Sequence, residues 1–390
     1  MALLEQTELG ERIERLAAIN RPSASPGEAE AARLIADELR ATGADVRVEE
    51  ESVHGTYWWP VGLLTGLGAI AGLAFGRLGA AVAGLFAAAA VTDDITGGRQ
   101  LFRRRALSQR TTSNVVAQIG PADAGQTVLV VSHHDAAHSG LVFHPGAPRA
   151  VLRRFPRLAE RTDTTPGTMW GAVGGPLAVA VGALLGLRRL RRTGALVCAG
   201  YAAAMADIGC RAAVPGANDN LTGVAVLLSL AGSLRDDPPE GMRVILLSTG
   251  SEESFMEGMQ AFARRHFPSL PPERTRVICV DTVGSPRLLA LEGEGMVWMN
   301  EYPKDVLAEV ASHAAALEIE LVPNLRLRNA TDGLIALRAG YPTVTLGSVD
   351  EFKIPTNYHW PTDTPANVEL STVADCARLV DRLVRASRRA

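Results

Sequence analysis

The chain has 390 residues, of which 21% are charged, and its formal net charge is -3 at pH 7. This length fits one α/β domain with insertions, and the small net charge gives no signal of a nucleic-acid partner. The 4 cysteines have no Cys-x-x-Cys spacing, and Cys279 lies inside a predicted buried strand. We therefore expect no disulfide framework, and a reducing compartment is acceptable. The charged, amphipathic segment 1–21 does not have the pattern of a cleavable signal peptide.

The first unusual element along the chain is a long apolar segment, Trp58–Ala90. It is apolar apart from Thr65 and Arg77, and it is too long and uniform for one core helix. It opens on the sequence Tyr-Trp-Trp-Pro at positions 57–60, an aromatic cluster of the kind enriched at membrane interfaces. The segment 57–92 is therefore predicted to be an inserted helical hairpin.

A predicted strand then ends in a histidine and an aspartate. The continuous apolar run 128–131 is typical of a strand covered on both faces, and His133 and Asp135 follow it. Being two residues apart in extended chain, they point the same way. A metal-bound imidazole usually donates its other N–H to a carboxylate or carbonyl, so Asp135 could orient the site. A lone histidine here is more often a solvated loop residue, and we interpret His134 and His138 in that way.

A second apolar insert, 167–209, repeats the arrangement of the first. One apolar run ends at Leu187, the basic sequence 188–192 follows, and a second apolar run extends over 195–206. Each insert is interpreted as a helical hairpin that is rich in Gly and Ala and near the lower length limit for crossing a bilayer. The near absence of charge favours two transmembrane hairpins over a soluble hairpin that covers the sheet or pairs two subunits.

Four further patches place carboxylates and a histidine beside predicted strands or helices. Asp219, in the turn-rich loop 215–220, could cap the following helix or bind a metal as a short bridging carboxylate. Glu252 and Glu253 follow the apolar run 243–248. A helix N-terminus would tolerate that pair, or one glutamate binds metal while the other handles the proton of an attacking water.

The last two patches follow the same logic. Asp281 ends a fourth strand-like run and could be a cap or a ligand, and His359 lies in a proline-punctuated loop, 357–365. Two imidazoles and three carboxylates make two equivalent N/O sites that share one carboxylate, which suits zinc, with cobalt or manganese as competitors. Without a metal site, five separate structural explanations, one for each patch, would have to hold at the same time. The order of the patches therefore predicts a two-metal hydrolase site on one edge of one sheet.

These patches resemble the di-zinc aminopeptidase family of secreted bacterial leucyl aminopeptidases. Relatives of that family include glutaminyl cyclases and the membrane-anchored metallopeptidase of the endoplasmic reticulum. The resemblance covers roughly residues 5–50 and 110–385 and is interrupted by the two inserts. It implies a zinc exopeptidase fold, which is α/β with a mixed, mainly parallel sheet and helices on both faces. Residues 1–390 would then form one such domain.

The resemblance also implies roles for individual residues. One zinc would be held by His133, Asp219 and Asp281, and the other by Asp219, Glu253 and His359. Glu252 would be the general base and Asp135 would orient the site. Ala136 and Ala137 depart from the family, which usually has Ser or Thr after its His-x-Asp, and the disulfide of some secreted members has no counterpart here.

The implied activity is metal-assisted hydrolysis of an amide bond at the N-terminus of a peptide. Glu252 would take the proton of the attacking water and pass it to the leaving amine. A glutaminyl cyclase-like acyltransferase with one zinc remains an alternative, as does a non-catalytic membrane scaffold with this fold.

The distribution of arginines predicts how the chain is placed at a membrane. One group follows the first insert and another precedes the second, whereas the hairpin tips carry Arg77 and the 188–192 cluster. The groups beside the main domain are Arg99, Arg103, Arg104, Arg105 and Arg110, and Arg149, Arg153, Arg154, Arg157 and Arg161. The positive-inside rule therefore predicts a multi-pass membrane protein with a cytoplasmic catalytic domain, although the second tip argues against it. Because both feet of the second insert flank predicted ligands, the site should lie close to the bilayer.

Overall fold

The fold is built around a mixed seven-stranded sheet. The computed structural model describes residues 3–155, 157 and 161–387. The strands of the sheet stand in the order β1-β2-β4-β3-β5-β10-β6. They are β1 Asp45–Val53, β2 Arg110–Ile119, β3 Gln126–His133, β4 Met242–Thr249, β5 Thr275–Val280, β6 Arg287–Ala290 and β10 Thr343–Val349. The central strands β4, β3, β5 and β10 are parallel, whereas β2 and β6 are antiparallel to their neighbours. The predicted mixed α/β sheet is confirmed.

Alternate residues of the central strands face two different cores. Val128 and Val130 pack on one side of the sheet and Leu129 and Val131 on the other, all fully buried. This is why the strand sequence is continuously apolar and not alternating. The first face is covered by α1 Gln6–Ala17, α2 Pro26–Ala41, α9 Thr222–Asp236, α11 Lys304–Ala316 and α13 Leu370–Ala386. The second face is covered by α10 Glu257–His266, α12 Gly333–Arg338 and the feet of the inserted helices.

The two apolar inserts form four helices that pack together as one bundle. These are α3 Trp58–Ala74, α4 Arg77–Ile95, α7 Trp170–Leu184 and α8 Arg188–Gly209. Helix α3 packs on α8, α4 packs on α7, and the two helices of each insert contact each other. Among the helices of the described residues, α4 alone is long and apolar enough to cross a bilayer by length and composition, while α3 and α7 are apolar but shorter.

The interior of the bundle is built from very small residues. A Cβ added at Gly72 would lie 2.6 Å from the Cβ of Ala195, and one at Gly84 would lie 2.6 Å from the carbonyl oxygen of Pro176. The larger apolar side chains are exposed on the outside of the bundle. They include Leu63, Ile70, Leu73, Leu78, Val82, Leu85, Phe86, Leu177, Leu184 and Leu196. The bundle is therefore packed with small residues inside and large apolar residues outside.

Shorter elements complete the described residues. Helix α5 Leu101–Ala106 follows the first insert, and α6 Gly146–Arg154 precedes the second. Three short strands, β7 Gly293–Glu294, β8 Asn300–Glu301 and β9 Arg326–Leu327, form a second sheet in the order β8-β7-β9. A π-helical turn, Ala217–Leu221, leads into α9.

Candidate active site

The carboxylate of Asp219 lies between two imidazole rings. Its Oδ1 is 3.2 Å from Nε2 of His133, and its Oδ2 is 3.2 Å from Nε2 of His359. The same nitrogen of His359 is 3.2 Å from Oε2 of Glu253, and Nε2 of His133 is 3.9 Å from Oδ2 of Asp281. The five predicted ligands thus form two groups that share Asp219.

Three of these residues, His133, Glu253 and Asp281, lie at or shortly after the end of a strand of the sheet, whereas Asp219 and His359 lie in connecting loops. His133 is the last residue of β3, Asp281 directly follows β5, and Asp219 lies in the π-helical turn before α9. Glu253 belongs to a short 3-10 turn after β4. The backbone at His359 has a φ of 49°, a left-handed conformation that is uncommon outside glycine and that recurs at functional sites.

The cluster has the electrostatics of a cation site. Burial alone would lower the pKa of His359, but the charges of Glu253 and Asp219 outweigh it and raise that pKa to about 10. Burial also raises the pKa of Glu253 and of Asp281. Among the described residues, Oε1 of Glu253 and Nδ1 of His359 have no hydrogen-bond partner. Ligand atoms of His133, Asp219 and Glu253 lie within 4.8 Å of one another. This buried N/O donor set without thiolate fits zinc.

Asp135 connects one imidazole to the glutamate turn. Its Oδ1 lies 3.4 Å from Nδ1 of His133 and accepts the backbone N–H of Glu252 at 3.0 Å. Its Oδ2 accepts the N–H of Glu253 at 3.1 Å and the hydroxyl of Ser23 at 2.6 Å. The carboxylate therefore fixes the imidazole and both glutamate backbones relative to one another, as expected of an orienting group.

Glu252 faces the cluster without being within contact distance of an imidazole. Its Oε2 is 4.0 Å from Nε2 of His133. Burial raises its pKa well above the ordinary glutamate value, and the nearby carboxylates of Glu253 and Asp281 act in the same direction. A glutamate with a raised pKa, placed beside a metal site, has the properties of a general base.

Several partners of this cluster carry no sequence signal. The guanidinium of Arg21 is fully buried and donates to the carbonyl oxygens of His134 at 2.8 Å, Pro215 at 2.6 Å and Gly216 at 2.7 Å. It thereby joins the loop after His133 to the loop before Asp219. An arginine in a loop more than a hundred residues away in sequence has no local pattern that predicts this contact.

Asp363 holds the bridging residue in place through its backbone. Its Oδ1 accepts the N–H of Asn218 at 2.7 Å, and its Oδ2 accepts the N–H of Asp219 at 3.1 Å. Asp363 lies in the proline-punctuated loop 357–365 that also carries His359, although its contact with Asp219 was not predicted. The carboxylate acts on the site by fixing this loop.

The interpretation of His134 as a solvated loop residue is wrong. Its ring is fully buried, with Nδ1 2.9 Å from Oγ of Ser248, and burial lowers its pKa to about 3. His138 is half-buried, with Nδ1 2.7 Å from the carbonyl oxygen of Arg211. Both imidazoles therefore bond to groups outside the five-residue cluster.

A buried ionic network ties the first insert to the glutamate turn. Arg103 binds both carboxylate oxygens of Asp94, near the end of α4, at 2.9 Å each. It also donates to the carbonyl oxygen of Ser254 at 2.7 Å and lies 3.3 Å from Oε2 of Glu257. The same Oε2 of Glu257 accepts the N–H groups of His54 at 3.0 Å and Gly55 at 2.9 Å.

The pH dependence of stability tests this network. Burial alone would raise the pKa of Glu257, but donors from His54, Arg103 and Ser254 outweigh it and lower that pKa to about 2. A lowered carboxylate pKa stabilises the fold above the unfolded value near 4.5 and loses this contribution as pH falls toward 2. Glu257→Gln should therefore lower the free energy of unfolding by about 3 kcal/mol at pH 7.

Urea unfolding in detergent at pH 7, 4.5 and 3 checks this expectation, with exposed Glu273→Gln as the control. The difference between Glu257→Gln and the unmodified protein should shrink as the pH falls below 4.5. A difference that grows with acidity would contradict the ionised state of Glu257.

Comparisons with known proteins give a family match and a fold match. Residues 202–384 match the model of Peptidase family M28, a span that includes Asp219, Glu253, Asp281 and His359 but not His133. No curated protein matches the chain significantly.

Solved structures of zinc exopeptidases and glutaminyl cyclases share the fold. A Zn-dependent exopeptidase from Parabacteroides distasonis is 12% identical with a TM-score of 0.57, covering 98% of both chains. A glutaminyl cyclase from Bacteroides thetaiotaomicron bound to N-acetylhistamine is 13% identical with a TM-score of 0.58, covering 98% of both chains. BSAP, a zinc aminopeptidase from Bacillus subtilis, is 13% identical with a TM-score of 0.57, covering 99% of this chain and 96% of its own. Residues 202–384 therefore resemble Peptidase family M28, and the whole chain has the fold that zinc exopeptidases and glutaminyl cyclases share, as its motifs predicted.

Proposed function

We propose that the protein is a membrane-associated di-zinc aminopeptidase that releases N-terminal residues from peptides. The observation that carries this proposal is the position of Asp219, whose two oxygens face two different imidazoles at 3.2 Å each. His133 and Asp281 would complete one metal site, and Glu253 and His359 the other. A carboxylate shared in this way suits a pair of metal ions better than a single ion.

The residues of the chain divide the chemistry between them. Bound zinc supplies a lowered pKa for water and a Lewis acid for the scissile carbonyl. Glu252 accepts the proton of the attacking water at its carboxylate and donates it to the leaving amine. Asp135 contacts the ring of His133 and accepts the backbone N–H of Glu252, and it therefore holds the base beside the cluster.

N-terminal acetylation of a good peptide substrate is expected to suppress cleavage. An aminopeptidase recognises the free α-amine, and acetylation removes its charge while leaving the scissile bond intact. The measurement is the rate of release of the first residue from a free and an acetylated peptide of one sequence. Equal rates would indicate an endopeptidase or another amidohydrolase.

A glutaminyl cyclase activity with one zinc is the second candidate, because solved glutaminyl cyclases share the fold. The two ligand groups around Asp219 favour the hydrolase. Zinc stoichiometry by elemental analysis separates the two, together with a search for pyroglutamate formation on a peptide that begins with glutamine. The intact ligand set likewise argues against a non-catalytic scaffold.

The packing of the bundle supports the membrane part of the proposal. Helices that associate in lipid place small residues at their contacts and large apolar residues toward the acyl chains. A water-soluble bundle buries its large apolar side chains. An exposed apolar patch of this extent is rare on soluble monomers. Helix α4 has 19 residues and is about 28 Å long at 1.5 Å per residue, close to the hydrocarbon thickness of a bilayer.

We expect the full chain to sediment with membranes, to resist carbonate extraction and to need detergent to stay monodisperse. Replacing 58–90 and 169–206 with Gly-Ser linkers, which keeps Asp94 beside Arg103, should give a soluble protein that still binds zinc. Because both feet of each hairpin join one domain, the hairpin tips should lie across the membrane from a cytoplasmic catalytic domain.

Cysteine labelling tests this orientation in a Cys210→Ser background, since Cys210 is the exposed cysteine. An impermeant reagent applied to cells should label Gly76→Cys, where a side chain meets open space, but not Arg105→Cys. The reverse pattern would invert the orientation. An intact chain that is soluble and monomeric without detergent would contradict the membrane association itself.

A further inference from the structure

Three of the five tryptophans are exposed at the feet of the bundle. Trp59 and Trp170 stand at the starts of α3 and α7 and are 43% and 52% exposed. The indole N–H of Trp170 donates to the carbonyl oxygen of Met296 at 2.9 Å, which brings Trp298, 59% exposed, to the same region. Indoles at one level of an apolar bundle are typical of the boundary between acyl chains and lipid headgroups.

One arginine contacts these tryptophans, because the guanidinium of the partly buried Arg328 stacks over the ring of Trp170 at 5.0 Å. Five exposed arginines lie along the chain next to the hairpins, after α4 or in α6, namely Arg99, Arg104, Arg105, Arg153 and Arg154. We call the three tryptophans and these five arginines the collar.

Three carboxylates near the C-terminal ends of α4 and α8 have hydrogen-bond or ion-pair partners. Asp93 accepts the backbone N–H groups of Arg99 and Leu101, and Asp94 is paired with Arg103. Asp207, near the end of α8, accepts the N–H of Leu141 at 2.6 Å and is paired with Arg211. The collar therefore presents positive charge that is complementary to anionic lipid headgroups.

A short turn connects this surface to the proposed metal site. Leu141 and Val142 are 64% and 56% exposed, and the backbone of Leu141 is held by Asp207 at the foot of α8. The next residue, Phe143, packs edge-on against the ring of His359 at 4.6 Å between centroids. Three residues of a 3-10 turn span about 6 Å. The side chain of Phe143 thus connects the exposed apolar turn directly to one of the proposed metal ligands.

The first insert approaches the site in the same way. Tyr57, next to the start of α3, packs on Phe255 at 5.0 Å between ring centroids. Phe255 lies two residues after Glu253, in the turn that carries the proposed base. Both hairpins therefore leave the domain beside the ligand loops.

We infer that the collar and the turn 141–143 seat the active site on an anionic membrane surface, and that its preferred substrate is a membrane-anchored peptide with a free N-terminus. This inference rests on the proposed aminopeptidase function. A peptide held in the same membrane reaches the site at a high effective concentration, whereas a soluble peptide must enter the headgroup layer from bulk water.

The test uses the full zinc-loaded chain in vesicles of phosphatidylcholine with or without phosphatidylglycerol. Two substrates share a sequence with a free amino-terminal leucine, and one carries a palmitoyl group at its C-terminal end. The lipidated peptide should be cleaved with a kcat/KM at least about tenfold higher, and more so in the anionic vesicles. Equal kcat/KM values for the two peptides would overturn the inference while leaving the aminopeptidase function standing.

Surface variants test which part of the protein causes the preference for the lipidated peptide. Leu141→Gln with Val142→Gln should remove the preference for the lipidated peptide and leave cleavage of the soluble peptide in detergent unchanged. Arg153→Glu with Arg154→Glu should remove the dependence on anionic lipid. The matched control is Leu185→Gln with Leu187→Gln, two exposed leucines in the turn at the opposite end of the bundle, which should change neither. A control variant with the same loss would overturn the assignment to the turn 141–143.

A fluorescence measurement that does not depend on activity distinguishes failure of the aminopeptidase proposal from failure of the membrane-surface inference. Brominated lipids should quench tryptophan fluorescence in the intact chain, and Trp298→Phe should reduce the part quenched by shallow bromines, since Trp59 and Trp170 remain. If neither peptide is cleaved but this quenching is found, the proposed aminopeptidase activity is wrong, whereas the contact of the collar with the membrane surface is retained. If Trp298→Phe leaves the quenching unchanged, the membrane-surface inference is overturned whatever the activity.

Discussion

Substitution of Glu252 by glutamine is expected to abolish turnover while the metals and the fold are retained. Glutamine has the same shape but cannot accept the proton of the attacking water. The hydrogen bond from this residue to Asp135 comes from its backbone N–H, which the substitution leaves in place. The value of kcat should fall at least about a hundredfold to ten-thousandfold, the range typical of a general base. Steady-state kinetics and zinc content measured on the same preparation check this expectation.

The matched control for this variant is Glu294→Gln. Glu294 is fully buried, and burial raises its pKa to about 7, but its carboxylate accepts hydrogen bonds from Tyr302 and Thr331 and makes no contact with the cluster imidazoles. Its substitution should leave kcat near that of the unmodified protein. If Glu252→Gln also kept a near-normal kcat, Glu252 would have no part in the mechanism.

The second large effect is expected for Asp219→Ala, which should lose zinc as well as activity. Its two oxygens face both imidazoles, so the substitution removes one ligand from each proposed site. The thermal unfolding temperature of the unmodified protein should fall on addition of a chelator, because a ligand that binds only the folded state stabilises it. That fall should be absent in the variant. Elemental analysis and thermal unfolding with and without chelator make the measurement.

Variants of the unshared ligands sharpen the test of the bridging role. Asp281→Ala and Glu253→Ala each remove a residue that faces only one imidazole, so each should retain more zinc than Asp219→Ala. An Asp219→Ala protein that still held two zinc ions would refute the bridging assignment. Equal zinc loss in all three variants would indicate one joint site.

The extent of the first insert shows where sequence patterns stop being informative. The apolar pattern predicted a hairpin over 57–92, whereas α4 continues through Asp93 and Asp94 to Ile95. Two adjacent aspartates normally mark the end of an apolar helix. The helix continues because Arg103, nine residues further along, neutralises Asp94 inside the protein. Such a pairing depends on a chain reversal that no local pattern records.

The sequence by itself determined which segments become central strands and which chemical groups follow them. A strand buried on both faces is apolar along its centre, so the runs 128–131 and 244–247 can be recognised from sequence, and their ends place His133 and Glu252 at one edge of the sheet. Only the tertiary structure decided how these groups face one another. The two-sided position of Asp219, the buried contacts of Arg21 and the burial of His134 depend on loops far apart in sequence. Strand register and packing bring these loops together. The sequence around each residue gives no information about a contact partner that is distant along the chain.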